Sequence, residues 1–442
     1  MECDSGLKPE NRARYHCVKY DAEGEVRGRM LLVRALRHVI RVGSLTVVDA
    51  DGRSHQFGDG AGPQAVVRLR DRSLHRRLVF DPYLAVGESY MDGTLTIEEG
   101  SLGDFIEVLA INEQAARGQL VFRLNEWVGL KLRRLQQRNP VGRARRNVAH
   151  HYDLSDTLYD LFLDRDRQYS CGYFLSDDDT LEAAQENKKR HIAGKLLLAP
   201  GQKVLDIGSG WGGLALYLAR VADVDVTGLT LSVEQQRVAS ERAEKAGLAH
   251  RVKFHLRDYR EDAGRYDRIV SVGMFEHVGA GHFREFFAKV RDLLTDDGVC
   301  LLHSIGRMEQ PGSTSPWLRK YIFPGGYTPA LSETLAAVER EQLYVTDIEI
   351  LRLHYARTLQ HWHERFQANR DRIRAIYDER FCRMWEFYLK GCEVAFRHWN
   401  QMVFQMQLAR RQDAVPLTRD YVTDYDRAPR TDAKAAARDI AA

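Results

Sequence analysis

Val204-Leu205-Asp206-Ile207-Gly208-Ser209-Gly210-Trp211-Gly212-Gly213 is the stretch that decides how most of this chain folds. An apolar run ends in four glycines and passes straight into helix-like sequence reaching Arg220. Glycine there permits positive φ and lets a ligand approach the backbone where a helix begins. Outward from it, strand and helix patterns alternate, as in a parallel sheet with crossover helices. Lys203–Ile207, Asp225–Leu231, Val252–Leu256, Arg268–Val272 and Val299–Ser304 read as strands. Ser232 reads as the cap of a helix running to Ala246, with Gln235 at the capping-box position. Leu359 to Leu408 reads as helical and aromatic-rich.

The rest of the chain divides around this core. Residues 1–125 hold short alternating segments, Leu45–Val48 and Ala65–Leu69, and a helix-like stretch from Leu102 to Leu120, giving a small α+β domain. Residues 126–146 read as a basic amphipathic linker: apolar residues recur at helical spacing from Leu120 to Leu135. Lys131, Arg133, Arg134, Arg138, Arg143, Arg145 and Arg146 follow with no acidic residue between Trp127 and Tyr152. Such a stretch suits an anionic membrane surface or nucleic acid, and equally a solvated helix face. Residues 147–411 form the catalytic domain, and 412–442, polar and rich in Ala, Asp and Arg, read as a disordered tail. The six cysteines form no CxxC pair, which argues against a disulfide framework or structural zinc. No apolar run reaches the ~18 residues a membrane span requires, so a cytoplasmic protein is expected. His150-His151 and His361-Trp362-His363 lack a companion Cys or carboxylate at ligand spacing, so no metal is expected.

Gly208, Gly210 and Gly213 satisfy GxGxxG, which by itself does not separate a dinucleotide from S-adenosylmethionine. A dinucleotide site wants a carboxylate at the end of the second strand, and here that strand ends Gly228-Leu229-Thr230-Leu231. Asp206 instead stands two residues before the first glycine, in the DxGxG arrangement common to class I methyltransferases. The expected fold is therefore α/β, a class I methyltransferase Rossmann-like sheet with helical additions, behind a small α+β N-terminal domain.

Longer strings narrow the reading: Gly87–Gly93 (GESYMDG), Asn147–Leu154 (NVAHHYDL), Tyr169–Phe174 (YSCGYF), Gly228–Gln235 (GLTLSVEQ), Asp267–Gly279 (DRIVSVGMFEHVG), His303–Gly306 (HSIG) and Tyr321–Gly326 (YIFPGG). In this order they resemble cyclopropane-fatty-acyl-phospholipid synthases from about residue 85 to 408. One departure is Gly172, where relatives often place Ala. The resemblance implies methyl transfer from S-adenosylmethionine to a cis double bond of a phospholipid acyl chain. Loss of a proton to bound bicarbonate then closes a three-membered ring. It implies Cys171, Glu276, His303, Ile305 (through its backbone) and Tyr355 around that ion. For the cofactor it implies Tyr169, Ser170, Gly208, Gly210, Thr230, Leu231 and Gln235, with Asp258 and Tyr259 near the adenine and Asp206 beside the glycine turn. A homodimer working peripherally on the inner membrane face is also implied.

Chemistry points the same way. An alkene is a weak nucleophile and its methylated product is a carbocation, so the site must be dry, apolar and electron-rich. Tyr169, Tyr173, Phe174, Phe275 and Tyr321 suit such a lining, and Trp385, Phe387, Tyr388, Phe396 and Trp399 suit an acyl tunnel or ordinary helix packing. Read alone, Cys171 is a small buried side chain and His303 a strand-end histidine. Two rivals stand beside this reading. One is a fatty-acyl methyltransferase of the same family, giving methyl- or methylene-branched chains. The other is a nucleic-acid methyltransferase, although no target-recognition or RNA-binding signature is present and no nucleic-acid partner is expected.

Overall fold

The computed structural model describes residues 27–118, 127–133, 137 and 155–429. They fall into two compact units. The first gathers the N-terminal residues through Trp127 with Ser315–Trp317 and Tyr377–Val394; the second holds the remainder.

In the first unit, β1 (Ser44–Val48), β2 (Ser54–Gly58), β3 (Gln64–Leu69) and β4 (Leu95–Glu99) pair in the order β2-β1-β3-β4. Alternation buries Leu45 and Val47 from β1 and Ala65, Val67 and Leu69 from β3. The Leu102–Ile111 helix starts at a capping box between Ser101 and Asp104 and buries Phe105 and Val108. The segment 377–394 lies far along the chain yet belongs here: Tyr90 donates to Glu386 at 3.1 Å, and Trp317 Nε1 sits 3.2 Å from Met91 Sδ. A boundary drawn in chain order at 125 does not reveal that return.

The second unit carries seven strands. They are β5 (Lys203–Ile207), β6 (Asp225–Thr230), β7 (Val252–Leu256), β8 (Tyr266–Val272), β9 (Leu294–Arg307), β10 (Tyr344–Ile350) and β11 (Gln401–Ala409), in the order β10-β11-β9-β8-β5-β6-β7. Strands β5 to β9 run parallel; β11 runs antiparallel to β9, and β10, antiparallel to β11, points the same way as β5 to β9. Apolar clusters cover both faces, which is why these strands read as nearly unbroken hydrophobic runs. This is the expected α/β class I methyltransferase sheet, with a small sheet in the N-terminal unit.

Two expectations fail. Gln401–Leu408 is strand β11 rather than helix: Met402, Val403, Phe404, Met406 and Leu408 are buried against both faces, and tertiary burial overrides the helical reading. The tail is not disordered throughout, because Asp420–Arg427 forms a helix packed on the Leu181–Leu196 helix. Residues 430–442 lie outside the described residues, as do Asn147–Leu154 and most of the basic linker. Among the described residues no helix is long and apolar enough to cross a membrane.

The Leu181–Leu196 helix is polar yet buried nearly all round, a pattern stable only if each buried polar group finds a partner. His191 is held between Asp426 and Glu349, each at 2.7 Å, and Lys195 pairs with Glu349. These carboxylates hold the His191 imidazolium above its ordinary pKa even though burial acts in the opposite sense. A raised histidine pKa stabilises fully below the unfolded value near 6.5 and loses that contribution as pH rises through the folded value. Asp426→Ala should therefore cost about 2 kcal/mol at pH 6 and clearly less at pH 9 in denaturant unfolding. An equal loss at both values would contradict this role.

Candidate active site

Functional groups collect at the carboxyl ends of β5, β6, β8 and β9, the edge where open α/β sheets take their ligands. After β5 the chain turns through Gly208 (φ +87°), whose N–H donates to the Leu229 carbonyl at 2.9 Å. A Cβ on Gly208 would lie 2.8 Å from Met274, so only glycine fits this turn.

The cleft above it is lined by Gly208, Gly210, Thr230, Leu231, Gln235, Asp258 and Tyr259, and by Arg257, Arg260, Met274, His277, Pro324 and Gly325. Thr230 Oγ1 donates to Gln235 Oε1 at 2.9 Å, and Ser232 Oγ caps the following helix by accepting from the Gln235 amide. The Gln235 side chain thus turns toward Thr230 and the cleft instead of completing a capping box. Asp258 is buried, paired with Arg260 at 2.7 Å, and caps the turn that carries Tyr259.

Asp206, Tyr169 and Ser170 lie outside that lining. Asp206 is 2% exposed, and its Oδ2 has no hydrogen-bond partner. Burial pushes its carboxyl up to about 7, with Lys188 pulling the other way. The Tyr169 ring packs 5.1 Å from Trp362, which meets the Tyr355 ring edge-on at 5.8 Å. Ser170 Oγ accepts from Lys188 Nζ at 2.7 Å.

Of the residues expected around the small ion, the structure joins Glu276 and Ile305 directly. Glu276 stands on the single turn Phe275–His277 after β8, and its Oε1 accepts from the Ile305 N–H at 2.7 Å. That amide is therefore committed to the carboxyl group. Oε2 is buried with no hydrogen-bond partner, and burial pushes the Glu276 carboxyl up to about 7. His303 lies in the buried run of β9, one residue before its last member, Ser304. Its Nδ1 accepts from Gln405 at 3.2 Å, which leaves the ring proton on Nε2. Burial holds this histidine neutral, its pKa near 3. The Gly273 N–H donates to the His303 carbonyl at 2.9 Å, so the β8 loop carrying Met274, Glu276 and His277 is pinned beside it.

Cys171 and Tyr355 come from another layer. The Cys171 thiol is buried and held far above its ordinary range, so it stays protonated and is a poor nucleophile. Its neighbour Gly172 donates to Thr358 Oγ1 at 2.9 Å, and Phe174 donates to His354 Nδ1 at 3.0 Å. These bonds lace the Tyr169–Phe174 strand of sequence onto the His354–Ala368 helix, which carries Tyr355. Tyr355 is buried and also packs 4.9 Å from Phe396.

One aromatic expectation needs correction. Phe275 is fully buried in a cluster with Phe283, Phe286 and Phe287, so its ring faces belong to the core. Trp385, Phe387 and Tyr388 belong to the N-terminal unit, where Phe387 meets Trp317 edge-on at 4.9 Å. Among the described residues no His, Cys, Asp and Glu side chains cluster as metal ligands, and His150 and His151 lie outside them.

Lys188 was not singled out in the sequence. It is fully buried beside Ser170, and burial lowers its ammonium to about 8. A lysine in a polar helix gives no signal of its own, because its partners come from the preceding loop.

A carboxyl whose folded pKa is raised stabilises while protonated and costs stability as pH rises between the unfolded and folded values. Glu276→Gln keeps the acceptor for the Ile305 amide without the charge. The variant should match wild type near pH 5 and exceed it by roughly 1–3 kcal/mol at pH 8 in unfolding experiments. A variant less stable than wild type at pH 8 would contradict a strained, buried carboxyl.

With the geometry in place, comparison with known proteins is informative. Residues 140–406 match the family model described as mycolic acid cyclopropane synthetase, and residues 33–118 match a domain of unknown function. The chain is 39% identical over 352 residues to the cyclopropane-fatty-acyl-phospholipid synthase of Escherichia coli, covering 80% of this chain and 89% of that one. It is 35% identical over 378 residues to a probable fatty acid methyltransferase of Pseudomonas putida, covering 83% and 93%. A solved mycolic acid cyclopropane synthase complexed with SAH and CTAB superposes with a TM-score of 0.57 at 34% identity, covering 61% of this chain and 99% of that one.

Proposed function

Because this chain belongs to the mycolic acid cyclopropane synthetase family and is an S-adenosylmethionine-dependent methyltransferase acting on lipid acyl chains, we propose that it cyclopropanates a cis double bond in an unsaturated phospholipid acyl chain. The observation that carries this reading is the combination at one sheet edge of a glycine-turn cleft with a buried, partly unpaired Glu276 beside a neutral His303.

S-adenosylmethionine supplies an electrophilic methyl group, and a bound bicarbonate supplies the proton acceptor that removes a proton from the transferred methyl. The protein's part is to position and to exclude water. Gly208, Gly210, Thr230, Leu231, Gln235, Asp258 and Tyr259 hold the cofactor, with Tyr169, Ser170 and Asp206 nearby. For the small anion, the residues fit. Glu276 Oε2 is a buried oxygen in want of a partner, His303 offers its Nε2–H, and the Tyr355 hydroxyl on the His354–Ala368 helix would complete the set. Ile305 takes part by fixing Glu276, and Cys171 supplies a small, unreactive wall. Charge separated from water in this way acts strongly on the developing cation, and no thiolate is present to trap it.

Peripheral work at a membrane surface, by a homodimer, is part of the same proposal. Helical residues 127–133 support the membrane contact, since Trp127, Leu130 and Leu132 are 57%, 40% and 42% exposed beside an exposed Lys131, whereas Arg133 turns inward to Tyr327 and Glu333. The N-terminal unit and basic linker would then face the lipid and the larger unit carry the chemistry.

The test is incubation of purified protein with S-adenosylmethionine and vesicles containing a monounsaturated phospholipid, followed by mass spectrometry. The expected product gains one CH₂, resists hydrogenation and opens in acid. A product that gains CH₂ but hydrogenates identifies the branched-chain chemistry instead. Transfer to nucleic acid in preference to vesicles would discard the lipid reading. Glu276→Gln should lower turnover by about 10²–10³ with S-adenosylhomocysteine affinity unchanged; full turnover in that variant would remove Glu276 from the mechanism.

A further inference from the structure

Lys188 is the buried charge that the chemistry above does not use. It sits on the Leu181–Leu196 helix with no solvent exposure, and a buried ammonium is costly unless an anion or a set of good acceptors compensates it. Its two hydrogen bonds go to neutral oxygens: Gln168 Oε1 and Ser170 Oγ, each at 2.7 Å. No carboxylate among the described residues comes within ion-pair distance. Nearby carboxylates are otherwise engaged: Asp166 pairs with Lys189 at 2.8 Å and with Arg242, and Asp164 accepts from the amides of Asp166 and Gln168 at 3.0 and 2.8 Å.

The surroundings are built to aim this ammonium. Gln185 Nε2 donates to the Ser170 carbonyl at 2.9 Å and to the Gln168 carbonyl at 3.3 Å, fixing the short loop whose side chains grip the lysine. Lys188 also acts on Asp206, whose buried Oδ2 lacks a partner two residues before the Gly208 turn. Gln168, which grips the ammonium, has its Nε2 2.5 Å from where a Cβ on Gly213 would lie, so a cation without an ion-pair partner and an unpartnered carboxyl oxygen both stand by the glycine turn, with Asp164 and Asp166 acting on the cation from farther off. That pair of charges is what a zwitterionic amino acid requires, an anion facing one and an ammonium facing the other.

We propose that Lys188 is the carboxylate-binding residue of the cofactor site, its ammonium neutralising the carboxylate of the cofactor's amino-acid portion while Gln168 and Ser170 fix where that charge stands. The inference rests on S-adenosylmethionine being the cofactor and adds which residue reads its anionic end. Selection follows from it: adenosine thioethers lacking the carboxylate should be discriminated against by charge alone.

The test compares two probes by calorimetry on the full chain. One is S-adenosylhomocysteine; the other is its decarboxylated analogue, 5′-(3-aminopropylthio)-5′-deoxyadenosine, which keeps the ammonium. Wild type should bind the first at least about tenfold more tightly. Lys188→Met and the more conservative Lys188→Gln should each weaken S-adenosylhomocysteine by about tenfold or more and change the analogue by less than about threefold. If the Met variant does not fold, the Gln variant and the wild-type preference still decide the matter. Equal wild-type affinities, an equal loss for both probes in the variants, or no loss for either overturns the proposal. Unchanged affinities with a new requirement for raised bicarbonate in turnover also overturn it, placing the charge on the Cys171 and His303 side. Failure of wild type to bind either probe would instead count against the cofactor assignment.

Discussion

The Glu276 carboxyl joins two demands that normally exclude one another. One oxygen accepts from the Ile305 amide and so ties the loop after β8 to the end of β9; the other is buried and lacks a partner. The tie gives the loop a fixed shape, and the burial lifts the group's pKa to about 7. Around it His303 is neutral and Cys171 stays a thiol. In the proposed reaction, a cationic hydrocarbon formed here would meet no thiolate. The same loop meets the glycine turn through Met274, which stands beside Gly208.

A second constraint lies one layer out. The Leu181–Leu196 helix brings Lys188, Lys189, His191 and Lys195 into the interior, and its stability depends on carboxylates and carbonyls supplied from elsewhere. Glu349 on β10 and Asp426 on the late helix meet His191, Asp166 meets Lys189, and the 168–170 loop meets Lys188. Parts remote in sequence thus fix the helix that faces the cofactor turn. Tyr173 stacks on His191 at 4.2 Å, so the same network steadies the Tyr169–Phe174 segment.

Much of the sheet was legible. Lys203–Ile207 and Val252–Leu256 were readable to the residue, the first as a short buried apolar run bounded by turn signals, the second as an edge strand that alternates buried Val252 and Phe254 with exposed neighbours. Strand β11 was not, since Met402–Leu408 is apolar at both periodicities and only its neighbours β9 and β10 decide between them. The helix at Asp420–Arg427 was hidden by its polar composition, its order coming from an ion pair with a histidine far away in sequence. Within the site, the glycine turn, Thr230, Gln235, Asp258 and Tyr259 lie where their motifs suggested, around one cleft. Phe275 looked like a lining residue because its neighbours in sequence are functional, yet the direction of its side chain is set by the phenylalanine cluster beneath the loop. Lys188 carried no motif at all, for burial of a charge is a property of the fold and not of spacing.

The most direct test of this arrangement is a crystal structure of the protein with S-adenosylhomocysteine and bicarbonate. The account predicts the adenosine between Thr230 and Tyr259, the thioether sulfur beyond the Gly208 turn, and a trigonal anion within hydrogen-bond reach of Glu276, His303 and Tyr355 on the side the sulfur faces. A nucleoside seated elsewhere, or a sulfur walled off from Glu276 and His303 by protein, would contradict it.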